Sequence, residues 1–154
     1  MAGEAENKLT ELGITLPEAA APVANYVPFV KTGKLLFVSG QIPLRGGALI
    51  ASGKVGLDVD ETRAVEAAKV CAINLLAQVK AATGNLDKVK RVVRLAVFVA
   101  SAPSFTRQPQ VANAASDLMV AVFGDKGRHA RVAVGTNVLP MDATVEIEGL
   151  FEVA

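Results

Sequence analysis

The chain has 154 residues, 51% hydrophobic and 20% charged, a globular balance long enough to bury a core without disulfides or metals. With 16 basic and 15 acidic residues the net charge is +1, which leaves no electrostatic footprint for nucleic acid or an anionic membrane. No run of about 18 apolar residues occurs, so no membrane span is expected.

The opening stretch MAGEAENKLTELGI is acidic and amphipathic, unlike a signal peptide. Leu9 and Leu12 predict a short helix over about residues 3–12, ended by Gly13. The Pro/Ala segment 17–24 reads as an extended connector. Residues 26–31 and 35–39 flank Thr32-Gly33-Lys34 and predict a hairpin, with Pro28 placing its first strand at an edge or bulge. A glycine-rich loop, 40–57, carries a short strand near 48–51. Asp58 or Asp60 then caps a helix to about residue 82, whose stripe is Ala64, Ala68, Cys71, Leu75, Val79 and Ala82 and whose stop is Thr83-Gly84. A strand is expected at 89–100, a helix at about 109–122, and two closing strands at 131–138 and 143–153.

The order β-β-α-β-α-β-β predicts a single α+β domain over residues 1–154, one sheet with two helices on one face. The apolar strand 95–100 and the row Val145, Ile147, Phe151 and Val153 argue against a bare second face. Burial against copies of the same chain is the expected solution.

Few residues can carry chemistry. GDKG at 124–127 is too short for a phosphate-binding loop, and one His with one distant Cys makes no zinc-ligand spacing. Cys71, the only cysteine, lies on the inward stripe of its helix and reads as an inert core thiol rather than a nucleophile. The lack of any disulfide agrees with cytoplasmic residence. In Ser39-Gly40-Gln41-Ile42-Pro43, Gly40 and Pro43 shape a turn where a strand ends, and Ser39 and Gly40 are also candidate ligand contacts.

His129 reads as a solvated or hydrogen-bonded side chain and Arg128 as a surface charge, with ligand contact as the competing role. Arg131 differs: strand parity puts it with Ala133, Gly135 and Asn137, small neighbours that leave room for a carboxylate beside its planar cation. A structural ion pair with Glu146 or Glu148 on a neighbouring strand is the alternative. Those two acids face away from the apolar row and are solvated, unless an interface cleft brings one near Arg131 to position water or move a proton.

SGQIP at 39–43, RLAVFVAS at 94–101, the Ala-Arg of HARVAV at 129–134, and LPMDATVEIEGLFEV at 139–153 together resemble the Rid (reactive intermediate deaminase) family, formerly the YjgF family and often labelled "endoribonuclease L-PSP". The resemblance runs from about Tyr26 to the C-terminus and leaves the first 20 or so residues as an extension. It implies a chorismate-mutase-like fold, a homotrimer and clefts between subunits. It also implies that Arg131 grips the carboxylate of a 2-imino or enamine acid, that Glu146 serves the hydrolytic water, and that Tyr26 and Asn113 line the cleft. The deaminating branch has Pro-Ala-Arg-Ser where this chain has His129-Ala130-Arg131-Val132, so the chain resembles a divergent subgroup.

The expected function is cofactor-independent hydrolytic deamination, releasing ammonia and a 2-keto acid. The alternative is a non-catalytic or differently acting trimer that binds small carboxylates. A third reading, the endoribonuclease, is opposed by near-neutral charge, one Tyr and no Trp.

Overall fold

The structure, a computed structural model, describes residues 3–22 and 24–154. Met1, Ala2 and Val23, which fall in the expected extension and connector, lie outside the described residues. Helix α1 (Glu4–Glu11) is followed by the connector, then by hairpin strands β1 (Phe29–Thr32) and β2 (Leu35–Gln41). A small ladder, β3 (Leu44–Arg45) with β4 (Ala48–Leu49), precedes helix α2 (Glu61–Thr83). Strand β5 (Val89–Ala100), helix α3 (Gln108–Phe123), and strands β6 (Ala130–Thr136) and β7 (Val145–Val153) complete the chain.

Local signals explain the boundaries. The Asp60 carboxylate accepts from Arg63 N at 2.8 Å, capping α2, and Gly84 ends it at φ +76°, a conformation that favours glycine. Gly33 turns the hairpin at φ +58°. Strand β1 begins at Phe29, not at residue 26 as expected. Pro28 has no N–H to donate, and only its carbonyl is used, accepting from Ser39 N at 2.9 Å. Tyr26 therefore lies ahead of the strand rather than in it.

The main sheet has the order β1-β2-β7-β5-β6, with every pair antiparallel except β5 with β6. Helices α2 and α3 cover one face, and their apolar stripes meet Leu36, Val38, Leu95, Val97, Ile147 and Phe151 in one core. The buried stripe of α2 is wider than the periodicity predicts, taking in Ala67, Ala72, Leu76 and Gln78. The Gln78 amide donates to the Ala20 carbonyl at 2.8 Å. Among the described residues no helix is long and apolar enough to cross a membrane.

One expectation about the second face is corrected. The row Val145, Ile147, Phe151 and Val153 packs under the helices, so it cannot make the opposite face apolar. The uncovered face instead carries Val30, Leu35, Phe37 and Val134, each more than a third exposed, beside Arg94, Glu146, Glu148 and Glu152.

Candidate active-site halves on opposite faces of the sheet

Arg131 pairs across the parallel ladder with Leu95, a core residue, and so projects on the helix face. There its Nη1 donates to Asn113 Oδ1 at 2.8 Å and to Ser116 Oγ at 3.1 Å, both on α3. These bonds use both Nη1 hydrogens. The Nε–H and the two Nη2 hydrogens have no acceptor among the described residues, and no carboxylate pairs with the guanidinium there. The open edge is the side-on fork that takes a carboxylate through two parallel hydrogen bonds. Asn113, expected to line the cleft, is thus brought to Arg131. The proposed ion pair is not: β5 separates β6 from β7, so Glu146 and Glu148 are not on a neighbouring strand.

Glu146 stands opposite Phe98, which pairs with Val134, and all three occupy the uncovered face. Along the sheet it lies two strands and about 10 Å of strand rise from Arg131. Within one chain the two residues cannot share a ligand. Glu146 lines a cavity of about 300 Å³ where β2 leaves the sheet and β7 enters it. Tyr26, Gly40 and Met141 line it too, and the connector residues Ala20, Ala21 and Pro22 form one wall.

A β-bulge shapes this end. Between the pairs Val38↔Gly149 and Gln41↔Ile147, β2 has one extra residue, which turns Gln41 into the buried side and leaves Ser39 and Gly40 as the extra step. Gly40 leaves room for the Glu146 side chain. A Cβ there would come within 2.9 Å of Glu146 Cδ. Ser39 is less available than expected, because its hydroxyl donates to the Val27 carbonyl at 2.8 Å and fastens the approach to β1.

Burial raises the pKa of Glu146, and the negative Glu148 raises it further. No cation pairs with Glu146 among the described residues. Met141, on the cavity rim, and Asp142 have φ of +59° and +60°, strained for side-chain-bearing residues and stabilised locally by the hydrogen bond from Gly53 N to the Asp142 carbonyl. Cys71 is fully buried, with a pKa pushed well up by that burial and then by the Glu146 charge, so the thiol is not poised as a nucleophile.

The sequence reading missed Ser116, the connector wall and Met141. Ser116 had one legible signal, its spacing of three from Asn113, which places both on one face of a helix.

Residues 6–152 match the family described as "YjgF/chorismate_mutase-like, putative endoribonuclease". "Protein TCP17" of Trypanosoma cruzi is 50% identical over 97% of this chain and 94% of its own length. Among solved structures, Agrobacterium tumefaciens Atu1372, a protein of unknown function, is 52% identical over 97% of this chain and 92% of its own, with a TM-score of 0.92. A Shewanella oneidensis MR-1 protein is 32% identical over 98% of this chain and 100% of its own, with a TM-score of 0.95. With that match spanning nearly its whole length, the chain belongs to the YjgF/chorismate-mutase-like family, the Rid family.

Proposed function

We propose that the protein hydrolyses 2-imino or enamine acids to ammonia and a 2-keto acid in a cleft between two copies of the chain. One copy supplies Arg131 and Asn113, and the other supplies Tyr26, Gly40 and Glu146. The observation that carries this reading is Arg131 itself. Its guanidinium is held by neutral acceptors, and among the described residues its Nε/Nη2 edge is open and no carboxylate neutralises it.

The chemistry follows from the two charges. Arg131 takes the substrate carboxylate. The ionised Glu146 accepts a proton from water as the oxygen adds to the C=N carbon, giving a carbinolamine. Glu146 returns that proton to the nitrogen; as the C–N bond breaks the carbinolamine oxygen becomes the keto oxygen, its hydroxyl proton passes to the departing ammonia or to solvent, and the keto acid leaves. Its raised pKa suits a group that must act first as base and then as acid. Imines hydrolyse readily in water, so a sparse site is chemically adequate. The apolar groups on the uncovered face support assembly of copies, and a homotrimer is the state this reading expects.

The test is ammonia and keto-acid release from imines generated in situ by an amino-acid oxidase. Arg131→Ala and Glu146→Gln subunits, mixed under denaturant and refolded, should recover about a quarter of wild-type activity, because a random mixture pairs an intact arginine with an intact neighbouring glutamate in that share of clefts. No recovery, or a monomer by light scattering, would sink the shared cleft. The alternative, a trimer that only binds a small carboxylate, rests on the same Arg131 geometry. Its signature would be retained 2-oxobutanoate binding with no ammonia release.

A further inference from the structure

Arg131 is the last member of a hydrogen-bond chain that begins at the backbone. The Gly127 carbonyl, which can only accept, lies 2.6 Å from His129 Nδ1, so Nδ1 carries a hydrogen. In the neutral ring Nε2 is then an acceptor, and Ser116 Oγ, 2.9 Å away, donates to it. With its hydrogen committed, Ser116 turns a lone pair towards Arg131 and accepts from Nη1 at 3.1 Å. A ring protonated on Nδ1 alone satisfies every partner.

The geometry is locked at its far end. Gly127 is buried, and a Cβ there would collide with the Met119 backbone, so the turn that aims its carbonyl sits directly on α3. His129 lies two residues before Arg131 and projects to the same side as the strand begins.

We infer that Ser116 and His129 are positioning residues that hold the Arg131 guanidinium so that its Nε/Nη2 edge stays open to a carboxylate ligand. This deepens the proposed function and rests on its assignment of Arg131. Asn113 alone leaves the guanidinium free to swing about one hydrogen bond. With Ser116 as a second acceptor on the same nitrogen, the plane of the fork is fixed before the ligand arrives, and less freedom is lost on binding. The role also accounts for the histidine that stands before Ala130-Arg131. Its ring anchors the serine, and it need not touch the ligand.

The test is calorimetric titration of the full chain with 2-oxobutanoate. Ser116→Ala and His129→Phe should each weaken binding by about 3- to 10-fold, the scale of one hydrogen bond lost from the positioning chain. Ser116→Thr, which keeps the hydroxyl, should restore it. Because the two residues act in series, the double variant should bind no more weakly than Ser116→Ala. Unchanged binding in Ser116→Ala, or effects that multiply in the double variant, would overturn the inference. Ser116→Ala decides alone where His129→Phe does not fold. Arg131→Lys, titrated alongside, separates two failures. If it binds as wild type does, the carboxylate reading itself fails; if it binds weakly while Ser116→Ala is unaffected, only the positioning role fails.

Discussion

The Arg131 edge and the Glu146 end of the sheet are opposites in every physical respect. The first is polar, open and built against a helix, with a cation steadied by neutral groups. The second is a largely apolar cavity at the end of the sheet, reaching from Glu146 to Asn74 of α2 and holding an anion that burial makes reluctant to ionise. Each has a charge with no counter-charge among the described residues. A protonated 2-imino acid has both missing charges, a carboxylate and an iminium, on adjacent carbons. On the proposed function, neither region is a site alone, and the contrast between them is what selects the ligand class.

The largest expected effect separates the halves by chemistry. Glu146→Gln should lower turnover by about 10²- to 10⁴-fold, the usual contribution of a general base, while 2-oxobutanoate still binds. In wild type the rate should rise with pH through an acid limb lying above the ordinary carboxylate range, since the ionised form is the base. Stability should run the other way. A carboxyl whose proton is held more tightly in the folded state stabilises the fold below its unfolded pKa and loses that contribution as pH rises through the folded one. Glu146→Gln should accordingly melt higher than wild type at neutral pH, with the gap closing in acid. A variant that binds poorly and turns over normally would invert the assignment of roles.

Arg131→Ala is the converse. It should weaken carboxylate binding by about 2–5 kcal/mol if the pair is well desolvated, and Arg131→Lys should fall between, keeping charge without the fork. If Arg131→Ala binds 2-oxobutanoate as wild type does but unfolds more easily, the arginine is structural and the comparison collapses.

How legible these halves were depends on what is local. The cap at Asp60, the stop at Gly84 and the apolar run of β5 are short-range signals, and α2 and β5 lie within a residue or two of their expected places. Parity correctly grouped Arg131 with Ala133 and Gly135 and turned Glu146 and Glu148 away from the apolar row. Parity does not say which face is which. That depends on the insertion of β5 between β6 and β7, a pairing of distant segments that no window of sequence displays. The Ala/Pro composition of the connector predicts an extended segment and nothing of its course over α2 to the cavity. Ser116 acquires meaning only once α3 lies across from Arg131.

Cys71 should be silent in both halves. Its thiol is fully buried in the core, and its one hydrogen bond among the described residues is to the Val145 carbonyl at 3.6 Å. Cys71→Ala should cost about 1–3 kcal/mol of stability through lost packing and leave both binding and turnover intact. Rapid labelling of the native thiol with loss of activity would require a third functional region.

The smallest effect tests whether the cavity wall depends on α1. The Asp87 carboxylate caps that helix from 83 residues away, with Oδ2 accepting from Glu4 N at 3.0 Å and Oδ1 from Ala5 N at 2.9 Å. No side chain of α1's own caps its N-terminus, so Asp87→Ala should cost about 0.5–2 kcal/mol, felt locally as faster amide exchange over residues 4–11. The connector that follows is held separately by Gln78, whose Nε2 donates to the Ala20 carbonyl while its own Oε1 is buried without a partner among the described residues. That second tether should confine the damage to the helix, so the Glu146 half keeps its wall and the Arg131 half is untouched. Gln78→Leu removes the tether along with the orphaned oxygen, and in that background Asp87→Ala should slow turnover without weakening 2-oxobutanoate binding. Equal losses in both would mean that the connector serves the carboxylate end as well, and the division between the two regions would have to be redrawn.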